Sequence, residues 1–158
     1  LEKPLPYSEW CYVCGKDNPL GFRIVFFTED GRTVRARYRP EIHRQGYLSV
    51  IHGGVLSTLL DETMAWAPTL HTGRMYVTGE LTVRYHLPFP VGRTMIIDGW
   101  SEKVSRRMAI TAGEVRDEGG TRYATAGGKY LPMTAEETRK VQELLIYEPD
   151  TLKVFDRL

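Results

Sequence analysis

Only two of the 158 residues are cysteine, Cys11 and Cys14, close together near the start of the chain. Two thiols make no disulfide framework of the kind that staples small secreted domains. A structural zinc site wants four ligands, and the chain offers neither a second cysteine pair nor a closely spaced histidine pair. The simplest reading is a turn carrying two reduced thiols and no metal; a zinc shared between two chains, or completed by a distant histidine, stays open. No apolar run reaches the roughly 20 residues that span a bilayer, and the first ten residues, LEKPLPYSEW, lack the apolar core of a secretory signal. The expectation is a soluble, cytoplasmic protein with no membrane partner. Net charge is missing too: 21 basic residues against 20 acidic ones leave +1, so whole-chain electrostatics give no reason to expect nucleic acid. Any phosphate recognition has to be local. There is no Gly-x-Ser-x-Gly elbow, no Walker loop and no dinucleotide fingerprint, which argues against a serine-nucleophile hydrolase, an NTPase and a dehydrogenase.

What is present is the length and composition of one globular domain, 1–158, without repeats or low-complexity tracts. Leu20 to Thr28 is rich in Ile, Val and Phe. Glu29-Asp30-Gly31-Arg32 then supplies a turn into the alternating segment Thr33 to Arg39, predicting an antiparallel hairpin. Glu41 to Ile51 has no sustained period and reads as a loop. From His52 the apolar residues Val55, Leu56, Leu59, Leu60, Met64 and Ala67 recur at helical spacing until Pro68 interrupts them. Strand patterns follow at Met75 to Leu87, Thr94 to Val104, Arg107 to Asp117 and Thr121 to Leu131, implying a meander after the helix. In the first of these, strict alternation puts Val77, Leu81, Val83, Tyr85 and Leu87 on one face and Thr78, Glu80, Thr82, Arg84 and His86 on the other. Thr134-Ala135-Glu136-Glu137 has capping-box form, predicting a short helix to about Leu145 and a tail to Leu158.

The chemistry concentrates in His52-Gly53-Gly54-Val-Leu-Ser-Thr-Leu-Leu-Asp61-Glu62. Two glycines at a helix start leave the first N–H groups unshielded at the positive end of the dipole, where they can polarise a carbonyl oxygen. Asp61 and Glu62 are acidic residues on a helix that should be mostly buried, and buried carboxylates are rare unless paired, hydrogen-bonded or functional. Ser57 and Thr58 precede Asp61 by four and three residues and are candidates to hold a water or the carboxylate. Read blandly, the glycines are a packing turn and the polar strip is the solvent edge of the helix, a reading stronger for Glu62 than for Asp61. If both groups act on one carbonyl carbon, geometry makes a demand. Eight residues separate Gly53 from Asp61, roughly 12 Å along the axis. A second, antiparallel helix across a twofold axis would bring Asp61 of one chain near Gly53 of the other, with Met75 to Leu87 as the seam.

On these residues the sequence resembles the PaaI-like branch of the hotdog-fold acyl-CoA thioesterases. The resemblance rests on Cys11-Tyr-Val-Cys14-Gly-Lys-Asp-Asn18-Pro19-Leu-Gly21, Gln45-Gly46-Tyr47, His52-Gly53-Gly54 with Leu-Leu-Asp61-Glu62, and Thr78-Gly-Glu-Leu-Thr-Val-Arg-Tyr85, over about residues 10–133. It implies an α+β hotdog fold, an antiparallel sheet wrapped around one long central helix, acting as a homodimer or dimer of dimers on an acyl-CoA substrate without cofactor. By the same resemblance His52, Gly53 and Gly54 form the helix-start element, and the Gly53 N–H polarises the thioester carbonyl. Asp61 of the facing subunit is general base or nucleophile, and Thr78 orients the water or carboxylate if Gly79 marks a bulge. Gln45, Gly46 and Tyr47 lie beside the acyl group, with Glu62 also at the substrate. Arg106, Arg107 and Lys129 are candidates for coenzyme A phosphates. Two other readings stay open: a hotdog dehydratase or hydratase using His52, and a non-catalytic acyl-CoA or lipid-binding module.

Overall fold

In the computed structural model, which describes residues 1–157, a seven-stranded antiparallel sheet packs on one long helix. The chain enters through two short strands, β1 (Lys3–Pro4) and β2 (Tyr7–Ser8), and passes the cysteine turn to β3 (Phe26–Thr28) and β4 (Val34–Tyr38). A 3-10 turn (Ile42–Arg44) and a small ribbon of β5 (Gln45–Tyr47) with β6 (Val50–Ile51) deliver it to α1 (Gly53–Thr72). Then come β7 (Tyr76–Tyr85), β8 (Met95–Val104), β9 (Ala109–Asp117), β10 (Arg122–Pro132), α2 (Ala135–Leu144), β11 (Leu145–Ile146) and a closing 3-10 turn (Val154–Arg157). No helix among the described residues is long and apolar enough to cross a membrane.

The sheet order is β1-β3-β4-β8-β9-β10-β7, so β8, β9 and β10 are the meander and β7 is not part of it. Pro88 and Pro90 flank buried Phe89 in the connection after β7, which rules out a tight hairpin. The chain crosses the domain instead and β7 becomes the far edge, paired only with β10.

Two further expectations change. The strand read from Leu20 shrinks to Phe26–Thr28 because the backbones of Phe22 and Ile24 donate to the carbonyls of Tyr12 and Val13 in the cysteine turn rather than to a sheet neighbour. Likewise α1 does not end at Pro68 but runs to Thr72, where Gly73 closes it in the left-handed conformation with φ 66°. Pro68 deletes one helical hydrogen bond, and the burial of Trp66, Ala67, Pro68, Thr69 and Leu70 around it offsets that loss.

What lets α1 lie so deep is the pair Gly99 and Gly113, opposite one another on β8 and β9. A Cβ on Gly99 would stand 2.9 Å from the Thr63 carbonyl oxygen, and one on Gly113 would stand 2.9 Å from the Met64 side chain. The helix backbone therefore rests in a glycine-lined trough, and Leu59, Leu60, Thr63 and Met64 are sealed from water. The tail belongs to the same unit: β11 pairs with β2, the Leu152 N–H donates to the Pro4 carbonyl, and Val154 is fully buried.

Candidate active site

Two poles of α1 carry the candidate residues. At the N-terminal pole His52 is the helix N-cap, and its Nδ1 accepts from the Gly54 N–H at 2.9 Å. The carbonyl of His52 takes the N–H groups of Val55 and Leu56, whereas the Gly53 N–H meets no acceptor among the described residues. Tyr85, at the end of β7, lies over this terminus; its hydroxyl donates to the Gly53 carbonyl at 2.8 Å and bonds the Ser57 hydroxyl. Tyr47, Val50, Ile51, Gly53, Leu56, Tyr85 and the segment His86 to Phe89 line a cavity of about 350 Å³ here. Gln45 and Gly46 sit beside it, the Gln45 side-chain oxygen accepting from the Ser49 N–H and Gly46 packing on His52.

Two turns along, Asp61 Oδ1 accepts from the Thr78 hydroxyl at 2.8 Å and from the Tyr130 hydroxyl at 2.9 Å. The second carboxylate oxygen has no donor among the described residues. Thr78 reaches Asp61 because the β7–β10 register slips at this point: Lys129 faces Glu80, Tyr130 faces Thr78, and Gly79 is the extra residue. The bulge inverts the alternation expected for β7. Thr78 turns to the helix together with Leu81 and Val83, while Val77 turns outward and is 46% exposed. Ser57 and Thr58 do not serve the carboxylate: Ser57 is held by Tyr85, and Thr58 bonds back to the Gly54 carbonyl. Tyr130 is a site residue that sequence reasoning missed, since nothing in Gly127-Gly128-Lys129-Tyr130 tells which strand face meets Asp61. Burial pushes its phenol above the ordinary range, and the neighbouring Asp61 charge pushes it further, so it stays a donor.

Glu62 turns from Asp61 toward the cysteine turn. Both of its carboxylate oxygens lie near Cys11 Sγ, at 3.3 and 3.2 Å. Cys11 Sγ in turn accepts from the N–H groups of Val13 and Cys14, each at 3.4 Å. Burial raises the Glu62 carboxyl to about 8, and the negative character of Cys11 adds to it. Hydrogen bonding from the Cys14 thiol, and then from the backbone, draws Cys11 down to about 5 against desolvation, while Cys14 is pushed up by the same hydrogen bond and by burial. Asp61, Glu62, Cys11 and Cys14 line one cavity of about 250 Å³ with Ser8, Ala65, Trp66, Thr69, Met75, Tyr76, Val141 and Leu145. Glu62 is thus no solvent edge of the helix. Four aromatic residues that can narrow a pocket divide between the poles, Trp66 and Tyr76 here, Tyr47 and Phe89 at the other.

Of the phosphate candidates, Arg106 and Arg107 are exposed in the β8–β9 turn, at the end of the sheet where Ala109 pairs with Tyr130, and hence at the Asp61 pole. Lys129 is exposed on the outer sheet face and ion-paired with Glu80 at 3.3 Å. Lys129 stands opposite Ile110 on β9, one residue before Tyr130.

Residues 48–124 match the sequence model of the thioesterase superfamily. An acyl-coenzyme A thioesterase of Xenopus laevis, THEM4, is 30% identical over 98 residues, covering 61% of this chain and 44% of that protein. The chain therefore spans less than half the length of that curated relative. The crystal structure of a thioesterase superfamily protein superposes with a TM-score of 0.72 at 29% identity, over 77% of this chain and 62% of that one. The fold, though not the detail, also matches Streptococcus mutans smu.793, solved with acetyl CoA, at TM-score 0.65 and 20% identity, over 70% and 88% of the two chains.

Proposed function

We propose that this chain, a member of the thioesterase superfamily by sequence and by its hotdog fold, hydrolyses acyl-coenzyme A to a free acid and coenzyme A at a site shared by two copies. The observation that carries this reading is the Asp61 carboxylate. One oxygen is pinned by Thr78 and Tyr130, the other has no donor among the described residues, and the carboxylate lines a largely apolar cavity. A carboxylate so held has one free basic oxygen in a fixed position, as a general base toward water or a nucleophile toward a carbonyl carbon requires. The tetrahedral intermediate puts negative charge on the thioester oxygen, and the unengaged Gly53 N–H at the positive end of α1 is the donor suited to it.

The two groups are roughly 12 Å apart along one helix, too far to serve one carbonyl. The edge strand β7 supplies the means of joining them. It is ten residues long, has no neighbour beyond it among the described residues, and exposes Val77 and Tyr85. An edge of this kind invites pairing with its twofold mate, which would run two α1 helices antiparallel and set Asp61 of one copy beside Gly53 of the other. Arg106 and Arg107, at the Asp61 end of the sheet, are our candidates for the coenzyme A phosphates. His52 is committed to capping and has no acidic partner among the described residues, which weighs against a hydratase.

Release of free thiol from short, medium, long and aryl acyl-CoAs tests the proposal. Turnover of at least one class, from a dimer or larger assembly by ultracentrifugation, is the expected result. Tight binding of acyl-CoA with no turnover of any class would favour a binding module instead.

A further inference from the structure

Cys11, Cys14 and Glu62 are left unused by the hydrolytic reading, and they form the densest group of metal-ligating atoms in the described residues. Their two sulfurs and the carboxylate all lie within 4.8 Å of one another. Three features suit the group to a cation. First, the Cys11-Tyr12-Val13-Cys14-Gly15 turn directs the N–H groups of Val13 and Cys14 at Cys11 Sγ, which stabilises a thiolate. Second, the turn is wound tightly enough that only glycine fits after it. A Cβ on Gly15 would fall 2.5 Å from the carbonyl oxygens of Cys11 and Glu9. Third, Glu62 is a carboxylate enclosed with two thiols and no compensating positive charge. None of the ion pairs among the described residues reaches it. Acidic groups gathered away from water cost free energy unless paired or bound to a metal.

We propose that Cys11, Cys14 and Glu62 bind one zinc ion, with its fourth coordination position open to the cavity that holds Asp61. Thiolates favour zinc, copper(I) and iron over magnesium or calcium, and two sulfurs with one carboxylate oxygen make a donor set for tetrahedral zinc. Bond lengths of about 2.3 Å to sulfur and about 2.1 Å to oxygen, at a tetrahedral angle, put sulfur and oxygen about 3.6 Å apart. The Cys11–Glu62 separations of 3.2 and 3.3 Å need only a few tenths of an ångström of opening to reach it. Three protein ligands and one open position is the pattern of a reactive rather than a closed structural site. The open position faces a cavity lined by Ser8, Asp61 and Trp66. Asp61, bonded through Oδ1 to Thr78 and Tyr130, lines the same cavity but stands outside this group of donor atoms and is not a ligand. Sequence reasoning expects no metal because it counts only cysteine pairs and histidine pairs; the third ligand is Glu62, 48 residues beyond Cys14.

The full reduced chain is stripped with chelator and titrated with Co²⁺, then with Zn²⁺ in competition. Sulfur-to-cobalt charge-transfer absorption that saturates at one equivalent and is abolished by zinc is the expected result. Cys11→Ser and Cys14→Ser should weaken Zn²⁺ binding by more than about hundredfold, beyond the 10–100-fold that outer-shell partners typically cost. Asp61→Asn should bind as the parent does, so that loss of hydrolysis and loss of metal are read separately. Glu62→Gln keeps the turn and both thiols, and so reads the carboxylate even where a cysteine variant folds poorly. It should weaken binding while preserving the charge-transfer band at high cobalt. Absence of the band in folded protein with both thiols reduced would overturn the site, as would a Glu62→Gln variant that binds Zn²⁺ as tightly as the parent.

Discussion

The two poles of α1 are built from opposite materials. At the N-terminal pole the candidate group is backbone: a helix start stripped of side chains by two glycines, capped by His52 and roofed by Tyr85. Two turns on, the candidate groups are side chains, a carboxylate pinned by two hydroxyls and a second carboxylate facing two thiols. Polarising a carbonyl needs a fixed dipole and no proton transfer, whereas activating water needs a group that changes protonation. On the proposed function, one pole would stabilise charge and the other would move a proton.

The harshest way to break the comparison is to remove the proton acceptor. Asp61→Asn keeps the shape of the side chain and its bonds to Thr78 and Tyr130 within reach, so the fold should survive. Acyl-CoA hydrolysis should fall by about 10²–10⁴-fold, the range for losing a general acid or base. Near-parent turnover in Asp61→Asn alongside an inactive Glu62→Gln would move the catalytic role to Glu62.

At the other pole the target is an N–H, and proline removes it. Gly53 is the first residue of α1, where proline is well tolerated, so Gly53→Pro should fold while losing about 10²–10³-fold in kcat. Mixing inactive Gly53→Pro chains with inactive Asp61→Asn chains sharpens the contrast further. If the poles work across a twofold axis, each mixed dimer regains one intact site and activity returns on subunit exchange. Mixed dimers demonstrated by mass spectrometry yet inactive would mean that both groups act within one chain.

The poles also differ in how far sequence reveals them. The N-terminal one is local: His52, Gly53 and Gly54 are consecutive, and the helix period that follows marks them as its start. Asp61 is legible as an acid on a buried stripe, but its surroundings are not, because they come from elsewhere in the chain. Thr78 reaches it only through the bulge at Gly79, which inverts the parity that alternation assigns to Val77 and Thr78. Tyr130 arrives from β10 and the cysteine turn from the opening residues, contacts that no local period encodes. Pro68 misleads for the same reason, since tertiary burial outweighs the single hydrogen bond that proline removes.

A smaller effect should come from the group that aims Asp61 rather than reacts. Tyr130→Phe keeps the buried ring and removes a donor to both the Asp61 carboxylate and its backbone carbonyl. We expect kcat to fall about tenfold, near 1.4 kcal/mol of transition-state positioning, with KM unchanged. A matching rise in KM with kcat preserved would make Tyr130 a wall of the binding cavity and nothing more.

The mildest perturbation separates the poles by their covers. Val141 of α2 and Leu145 of β11 roof the Asp61 cavity, and α2 begins with a complete capping box. The Thr134 hydroxyl accepts from the Glu137 N–H at 3.2 Å, and the Glu137 carboxylate accepts from the Thr134 N–H at 2.8 Å. That backbone bond, and then the Thr134 hydroxyl, hold the Glu137 carboxyl below its ordinary 4.5. A group depressed in the folded state stabilises it above the unfolded value and ceases to do so as pH falls through the folded value. The roof should therefore loosen below about pH 4.5, before the rest of the domain. Thr134→Ala should lower Tm by no more than about 4 °C at neutral pH and flatten this acid dependence. Hydrogen exchange at pH 4 and pH 7 reads the difference: amides of α2 should lose protection in acid while those of α1 near Gly53 keep theirs. Equal loss at both ends of α1 would mean that α2 is no separate cover, and that the two poles open together.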